Sequence, residues 1–139
     1  MLEHEELSGQ IIAAAITVHK ELGPGFIESI YEEALATELD WLRLPYTRQH
    51  TVRVFYRERF LGEHRLDSLV ADQIVVELKA IQAFDKIHFA IVRSYLKATK
   101  LHAGLLLNFA AMPLTIKRVG REDSARISSV PDFLSSKLT

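Results

Sequence analysis

The spacing of apolar residues predicts two helices in the first third of the chain. Apolar residues recur at helical intervals over 6–22, so a helix is predicted there, starting near Ser8 or one turn earlier. Gly23-Pro24-Gly25 ends it, and a second helix is predicted over 27–43, before Leu44-Pro45. The second helix is expected to bury one side and to carry its acidic residues elsewhere. That inner side is predicted to contain Ile27, Ile30, Tyr31, Ala34, Leu35, Glu38 and Leu42.

Beyond residue 46 the pattern changes to the two-residue alternation that is typical of strands. Strands are predicted over 47–57, 60–70, 73–80, 104–109 and 114–119, with a helix over 86–99 that Asp85 can cap. The third strand is almost wholly apolar, so it is predicted to be central and covered on both faces. The order ααβββαββ predicts an α/β fold with a mixed sheet flanked by helices. If the third and fourth strands are parallel, the helix between them forms a right-handed crossover.

Two charged residues interrupt this apolar third strand. Glu77 and Lys79 are two residues apart and therefore point to the same face. If 64–70 and 74–80 form a hairpin turning near Asp72, then Asp67 lies opposite Glu77. Charges in such an apolar segment are costly to bury unless they are paired or bind a metal. This pattern therefore indicates a functional site.

The expected chemistry of this site is that of a hard divalent cation. Two carboxylates and the Leu78 carbonyl are oxygen ligands of the kind that Mg²⁺ binds. Lys79 would lie beside the metal, where it can orient or help to deprotonate a water nucleophile or neutralise charge in the transition state. The alternative is a structural ion pair in which Lys79 is paired with Glu77 or Asp67, which contributes little net stability.

Two further groups of residues have both a functional and a structural interpretation. Glu28 and Tyr31 share a face at the start of the second helix, where a helix-dipole contact and a core aromatic explain them. His88 and Tyr95 share a face of the third helix, beside several lysines and arginines. That helix side is either a surface that faces phosphate or an ordinary solvated surface. The histidines have no zinc-binding spacing.

Composition narrows the class of protein. The length of 139 residues predicts one domain over 1–139, and 48% hydrophobic with 25% charged residues is usual for a globular protein. No apolar run is long enough to span a bilayer, and the acidic N-terminus lacks the apolar part of a signal peptide, so a cytoplasmic protein without a membrane partner is expected. The net charge of −1 argues against a protein that coats nucleic acid. The absence of cysteine excludes disulfides and cysteine-based zinc sites.

Taken together, several motifs resemble a known family, the GxxExxY proteins of bacteria and archaea, which are assigned to the PD-(D/E)XK nuclease superfamily. The resemblance covers a core of about 7–119 and leaves 120–139 as a polar tail, in which 130–134 can dock as a short turn. The matching segments, in order, are Val18-His19-Lys20-Glu21-Leu22-Gly23-Pro24-Gly25, Glu28, Tyr31, Asp67, Glu77-Leu78-Lys79, Tyr95-Leu96-Lys97-Ala98-Thr99 and Leu107-Asn108-Phe109.

The resemblance implies a restriction-endonuclease-like core and phosphodiester cleavage that depends on Mg²⁺ or Mn²⁺. Asp67 and Glu77 would bind the metal, and Lys79 would complete the (D/E)-x-K pair. Glu28 resembles the acid that many members add as a further metal ligand or as support for one. The resemblance also places His88 and Tyr95 on a helix that often approaches the phosphate, which suggests substrate contacts. The implied partner is nucleic acid, with DNA favoured over RNA, and a homodimer is possible.

Two positions depart from the pattern of the superfamily. Leu66 precedes Asp67 where many members have proline, and Ile91 stands where relatives often carry glutamine. Ile91 and the low net charge together leave a second hypothesis open, which is a non-catalytic nucleic-acid-binding or assembly module that has kept the fold. A third hypothesis is a structural homodimer in which the charged cluster is a buried ion-pair network.

Overall fold

Eight helices and strands follow one another along residues 2–121, the part of the chain that the computed structural model describes, in the predicted order ααβββαββ. The predicted tail beyond residue 121, with its turn at 130–134, lies outside the described residues. The helices are α1 (Leu2–Leu22), α2 (Glu28–Trp41) and α3 (Lys86–Thr99). The strands are β1 (Tyr46–Tyr56), β2 (Arg59–Val70), β3 (Ile74–Lys79), β4 (Ala103–Asn108) and β5 (Thr115–Gly120).

The strands form a single mixed sheet in the order β1-β2-β3-β4-β5. β3 and β4 run parallel and are joined through α3, whereas the other neighbouring pairs are antiparallel. This agrees with the α/β class and with the restriction-endonuclease-like arrangement that the resemblance implied. None of the helices in residues 2–121 has the length and apolar character that crossing a membrane requires.

The central position predicted for β3 is confirmed, because separate apolar clusters cover its two faces. Ile74 and Val76 pack in a cluster with α1 and α2, while Val75 packs in another with α3. On the α3 side the contact is close: a Cβ at Gly104 of β4 would lie 2.7 Å from Cγ1 of Val92. Glycine at this position therefore lets the crossover helix approach the sheet.

The turn before α2 is fixed by glycines and by Tyr31. Gly23 and Gly25 have φ of 69° and 117°, the left-handed region that glycine adopts without strain. The Tyr31 ring is fully buried, and its hydroxyl donates a hydrogen bond to the Gly23 carbonyl at 2.5 Å. The reading of Tyr31 as a core aromatic is therefore confirmed. The same contact fixes the start of α2, whose first residue is Glu28.

Two details of the helices differ from the prediction. α1 begins at Leu2, so Ser8 is not its cap but a buried residue inside the helix that accepts a hydrogen bond from Arg118. The buried residues of α2 are Tyr31, Glu32, Leu35, Ala36 and Leu39, whereas Ile27, Ile30 and Leu42 of the predicted inner side are exposed. The Tyr31 ring stacks on the distant Phe109 with centroids 4.6 Å apart, and this contact and the anchored hydroxyl hold α2 in the rotation that buries Glu32.

The first two strands extend beyond the rest of the sheet. β2 pairs with β3 only over Ser68–Val70, but its pairing with β1 continues as far as Tyr56 and Arg59. Residues 51–65 therefore form a two-stranded extension, which we call the β1–β2 ribbon.

Candidate active site

Asp67 and Glu77 meet at the point where β2 separates from β3. The last regular pair between these strands is Ser68 with Val76. Beyond it, the Asp67 N–H donates to Oε1 of Glu77 at 2.8 Å, and the Leu78 N–H donates to Oδ2 of Asp67 at 2.9 Å. Each carboxylate thus accepts a hydrogen bond from a backbone N–H of the neighbouring strand, beyond the point where regular pairing of the two strands ends. The predicted juxtaposition of the two acids is present in the structure.

A local irregularity in β1 and β2 accompanies this separation. Gln49 has a φ of 52°, and the pairing of β1 with β2 omits Gln49 and Asp67. Leu66 and Leu69 pack in the same α3-side cluster although they are three residues apart, which a regular two-residue alternation forbids. The alternation therefore reverses around Asp67 without a change in register, because Arg48 still pairs with Ser68 and His50 with Leu66.

The two acids lie in an environment that disfavours their charged forms. Glu77 is only 5% exposed, and burial together with the neighbouring charge of Asp67 raises its pKa to about 8. Burial likewise raises the pKa of Asp67. Lys79 is close enough to oppose both pKa shifts, yet within residues 2–121 it forms no ion pair within 4 Å. The alternative of a structural ion pair at Glu77 therefore has no support in the geometry.

The free oxygens of this pair suit a hard cation. Each carboxylate uses one oxygen for a backbone N–H, and the described residues offer no hydrogen bond to Oδ1 of Asp67 or Oε2 of Glu77. A divalent cation would offset the burial, and the neighbouring negative charges, that raise the pKa values of both acids. Residues 2–121 contain no group of three or more acidic, histidine or cysteine side chains arranged to hold a metal. Water would supply the remaining ligands, as is usual for Mg²⁺.

Glu28 lies at the same end of β3 but outside this close pair. It is exposed, and its Oε2 accepts a hydrogen bond from the Ala80 N–H, directly after β3, at 3.2 Å. Its charge contributes to the raised pKa values of Asp67 and Glu77. Glu28 can therefore support a cation from α2, most simply through a water molecule.

The two predicted substrate residues are engaged within the fold. The Tyr95 hydroxyl donates to the Arg65 carbonyl at 3.2 Å, and burial, followed by the charges of Glu77 and Asp67, raises its pKa to about 12. Nδ1 of His88 accepts the Asp85 N–H at 2.8 Å and completes a capping box at the start of α3. Tyr95 thus lies next to the acid pair, whereas His88 caps the N-terminal end of α3. Their contact with substrate stays a prediction.

The sequence analysis missed Glu32. This residue is 9% exposed, and its two oxygens accept hydrogen bonds from Nε of Arg48 at 2.9 Å and from Nε2 of Gln49 at 3.0 Å. It therefore holds β1 at the irregularity opposite Asp67, and its charge helps to raise the Asp67 pKa. A signal was present: Glu32 lies four residues after Glu28 and so on the same side of the helix.

Asn108 is a second buried polar residue at the site. It pairs with Lys79 in the parallel register of β3 and β4 and is 1% exposed. Its amide donates to the Ile81 carbonyl at 2.9 Å and accepts the Ile81 N–H at 3.1 Å. These bonds fix the backbone just after Lys79. Ile91, by contrast, packs against the α3-side apolar cluster.

Comparisons with known proteins agree with this arrangement. The crystal structure of SSO0001 matches with a TM-score of 0.53 at 13% identity, over 78% of this chain and 59% of that one, so the chain spans about three-fifths of its length and the likeness concerns the fold alone. A search of curated proteins found no match. The sequence pattern described as the PD-(D/E)XK nuclease superfamily matches residues 5–119, most of the chain. This protein therefore belongs to the PD-(D/E)XK nuclease superfamily.

Proposed function

We propose that this protein is a nuclease that hydrolyses phosphodiester bonds of nucleic acid, with DNA as the favoured substrate and Mg²⁺ or Mn²⁺ as the cofactor. One observation carries the proposal: Asp67, which is partly buried, and Glu77, which is buried, are joined by hydrogen bonds, and within residues 2–121 neither has a cationic partner within 4 Å. A buried pair of this kind is costly unless a bound cation compensates it. Superfamily membership supplies the reaction class.

Within the superfamily we assign the chain to the GxxExxY proteins, because each residue of that motif has a physical task here. Gly25 adopts a positive φ before α2. Glu28 accepts the Ala80 N–H beside the acid pair, and Tyr31 ties the turn to the core. The motif thereby positions a third carboxylate at the end of β3.

In this proposal the site residues have separate roles in metal binding and in catalysis. Asp67 and Glu77 would hold the cation with their free oxygens, with help from the Leu78 carbonyl, while Glu28 supports it from α2. When bound, the cation supplies Lewis-acid chemistry and lowers the pKa of water. Lys79 would orient the attacking water or neutralise charge at the phosphate. The Asn108 contacts keep the backbone after Lys79 in place.

The proposal is tested by cleavage of end-labelled single- and double-stranded DNA and RNA in Mg²⁺ or Mn²⁺. Asp67→Ala and Lys79→Ala should each reduce cleavage by more than about a hundredfold, the range for removal of an acid–base or charge-stabilising group. Lys20→Ala, at an exposed position of α1, is the control for loss of one positive charge. Circular dichroism checks that each variant folds.

Retained cleavage in purified Lys79→Ala protein contradicts the mechanism. Binding of nucleic acid without turnover in any divalent metal would instead favour the non-catalytic module. That reading draws on Ile91, whose packing against the core leaves it no evident role in catalysis.

A further inference from the structure

The β1–β2 ribbon reaches well beyond the site. Arg57 and Glu58 form its turn with positive φ values of 50° and 67°, and no strand of residues 2–121 pairs with its outer edges. Asp67 lies eight positions after Arg59, so the ribbon extends about 26 Å from the acid pair at roughly 3.3 Å per residue. Val52, at the base of the ribbon, packs in the α3-side apolar cluster, whereas the tip of the ribbon projects away from the core.

The ribbon exposes large apolar side chains to solvent. Phe55, Tyr56, Phe60 and Leu61 are 53%, 62%, 45% and 59% exposed. A concentration of exposed rings at the tip of one projecting element is typical of a surface that contacts a partner.

The charge on the ribbon indicates what that partner is. Residues 51–65 contain four arginines and two glutamates, a net charge of +2 in a chain whose total is −1. None of the four arginines forms an ion pair within 4 Å in the described part of the chain. The guanidinium of Arg53 lies 4.6 Å from the Phe60 ring centroid, and that of Arg57 lies 5.6 Å from the Tyr56 ring centroid. Arginines interleaved with exposed rings suit phosphates and bases together.

The base of the ribbon adjoins the candidate site. The His64 ring packs edge-on against Tyr95 with centroids 5.1 Å apart, and the charges of Asp67 and Glu77 influence the Tyr95 hydroxyl. A strand lying along the ribbon would therefore arrive beside the two acids.

We propose that the β1–β2 ribbon binds a single-stranded segment of nucleic acid, stacking its bases on Tyr56 and neighbouring rings and holding its phosphates with Arg57 and Arg59. The inference rests on the proposed function and deepens it by naming the substrate class. Unpaired bases can stack on aromatic side chains, whereas bases in a duplex are already stacked on each other.

The test measures binding of a fluorescein-labelled oligothymidylate by anisotropy in EDTA, where metal-dependent cleavage does not interfere. Arg57→Ala/Arg59→Ala should weaken binding about tenfold at low salt and reduce the slope of log K against log salt by about 1.4, or about 0.7 for each phosphate that is no longer neutralised. Tyr56→Ala should weaken binding at least about fivefold with little change in slope. Its effect on a duplex probe should be much smaller.

The matched control is Lys20→Ala/Lys117→Ala, which removes two charges from exposed positions on α1 and on β5, the sheet edge opposite β1. The inference is overturned if wild type does not bind the probe or the ribbon variants bind like wild type. It is also overturned if the control loses as much affinity, or if Tyr56→Ala affects both probes equally. The inference is likewise overturned if analytical ultracentrifugation of wild type and ribbon variants shows that copies of the chain associate through the ribbon, because the exposed surface is then a protein–protein interface.

Failure of this inference can be told apart from failure of the proposed function. Cleavage that persists while ribbon variants bind normally defeats the inference alone. Ribbon-dependent binding in a protein that cleaves nothing defeats the proposed nuclease and leaves the inference standing.

Discussion

Glu32 and Glu77 are both buried carboxylates in the vicinity of Asp67, but their neighbours differ. Both oxygens of Glu32 accept side-chain hydrogen bonds, one of them from the Arg48 guanidinium. Glu77 accepts one backbone N–H and faces a second acid, Asp67. The fold therefore compensates one buried charge with its own cation and leaves the other without a close one.

The presence or absence of a close cationic partner distinguishes a structural acid from a functional one better than burial does. A buried charge is tolerated when a partner offsets the loss of hydration. Arg48 provides that partner for Glu32, and the same contact raises the Arg48 pKa. At Glu77 the raised pKa shows that the described protein groups do not provide enough compensation. A bound divalent cation would supply the close positive charge that Glu77 lacks in the described fold.

The largest expected effect on stability is at Glu77. Its pKa is about 8 in the folded protein and near 4.5 when unfolded, so between these values the folded state holds more protons. The contribution of Glu77 to the stability of the metal-free protein should therefore be most favourable below pH 4.5 and be lost as the pH rises to about 8. The loss is on the order of a few kcal/mol.

Glu77→Gln should remove most of this pH dependence, which urea unfolding at a series of pH values in EDTA measures. Glu32→Gln is the matched comparison, because it weakens a compensated contact and should lower stability without the same slope. A wild-type protein equally stable at pH 5 and pH 8 would contradict the assigned environment of Glu77.

A smaller stabilisation is expected from metal. Mg²⁺ or Mn²⁺ at a hundred times its Kd should add about 2.7 kcal/mol to the free energy of unfolding. For a chain of this size, that should raise the Tm by roughly 5–12 °C. Asp67→Ala should abolish both the shift and the heat of binding in calorimetry. A wild-type shift that survives in this variant would place the metal elsewhere.

The comparison also shows why the site was only partly predictable from sequence. Two-residue alternation and a short turn near Asp72 suffice to place Asp67 opposite Glu77. Local capping likewise fixed the start of α3, whose bounds match the prediction. Glu32 was missed because its burial depends on the rotation of α2, which the distant contacts of Tyr31 set. The reversal at Gln49 requires a positive φ in a residue other than glycine, and tertiary contacts decide that.

The compensated acid should respond to loss of its own cation. Arg48→Ala leaves Glu32 with Gln49 as its remaining side-chain partner and should destabilise the protein by about 1–2 kcal/mol, since Arg48 is partly exposed. Glu33→Ala removes the more exposed partner of Arg48 and should cost less than about 0.5 kcal/mol. Chemical denaturation measures both. Equal effects of the two variants would mean that burial of Glu32 adds nothing to the contact.

A smaller effect than that of Arg48→Ala is expected at His88, where the presence of a hydrogen-bond partner within the fold again bears on whether the residue is structural or functional. Its Nδ1 is already satisfied by the Asp85 N–H, as the oxygens of Glu32 are by their partners. His88→Ala should therefore lower stability by about 0.5–1 kcal/mol, the usual contribution of a helix cap. Asp85→Ala removes the other half of the capping box and serves as the control. If His88 acts only through the cap, the two variants lose stability and cleavage to similar extents. A much greater loss of cleavage in His88→Ala would show that its imidazole contacts the substrate, and that a side chain satisfied within the fold can still serve the site.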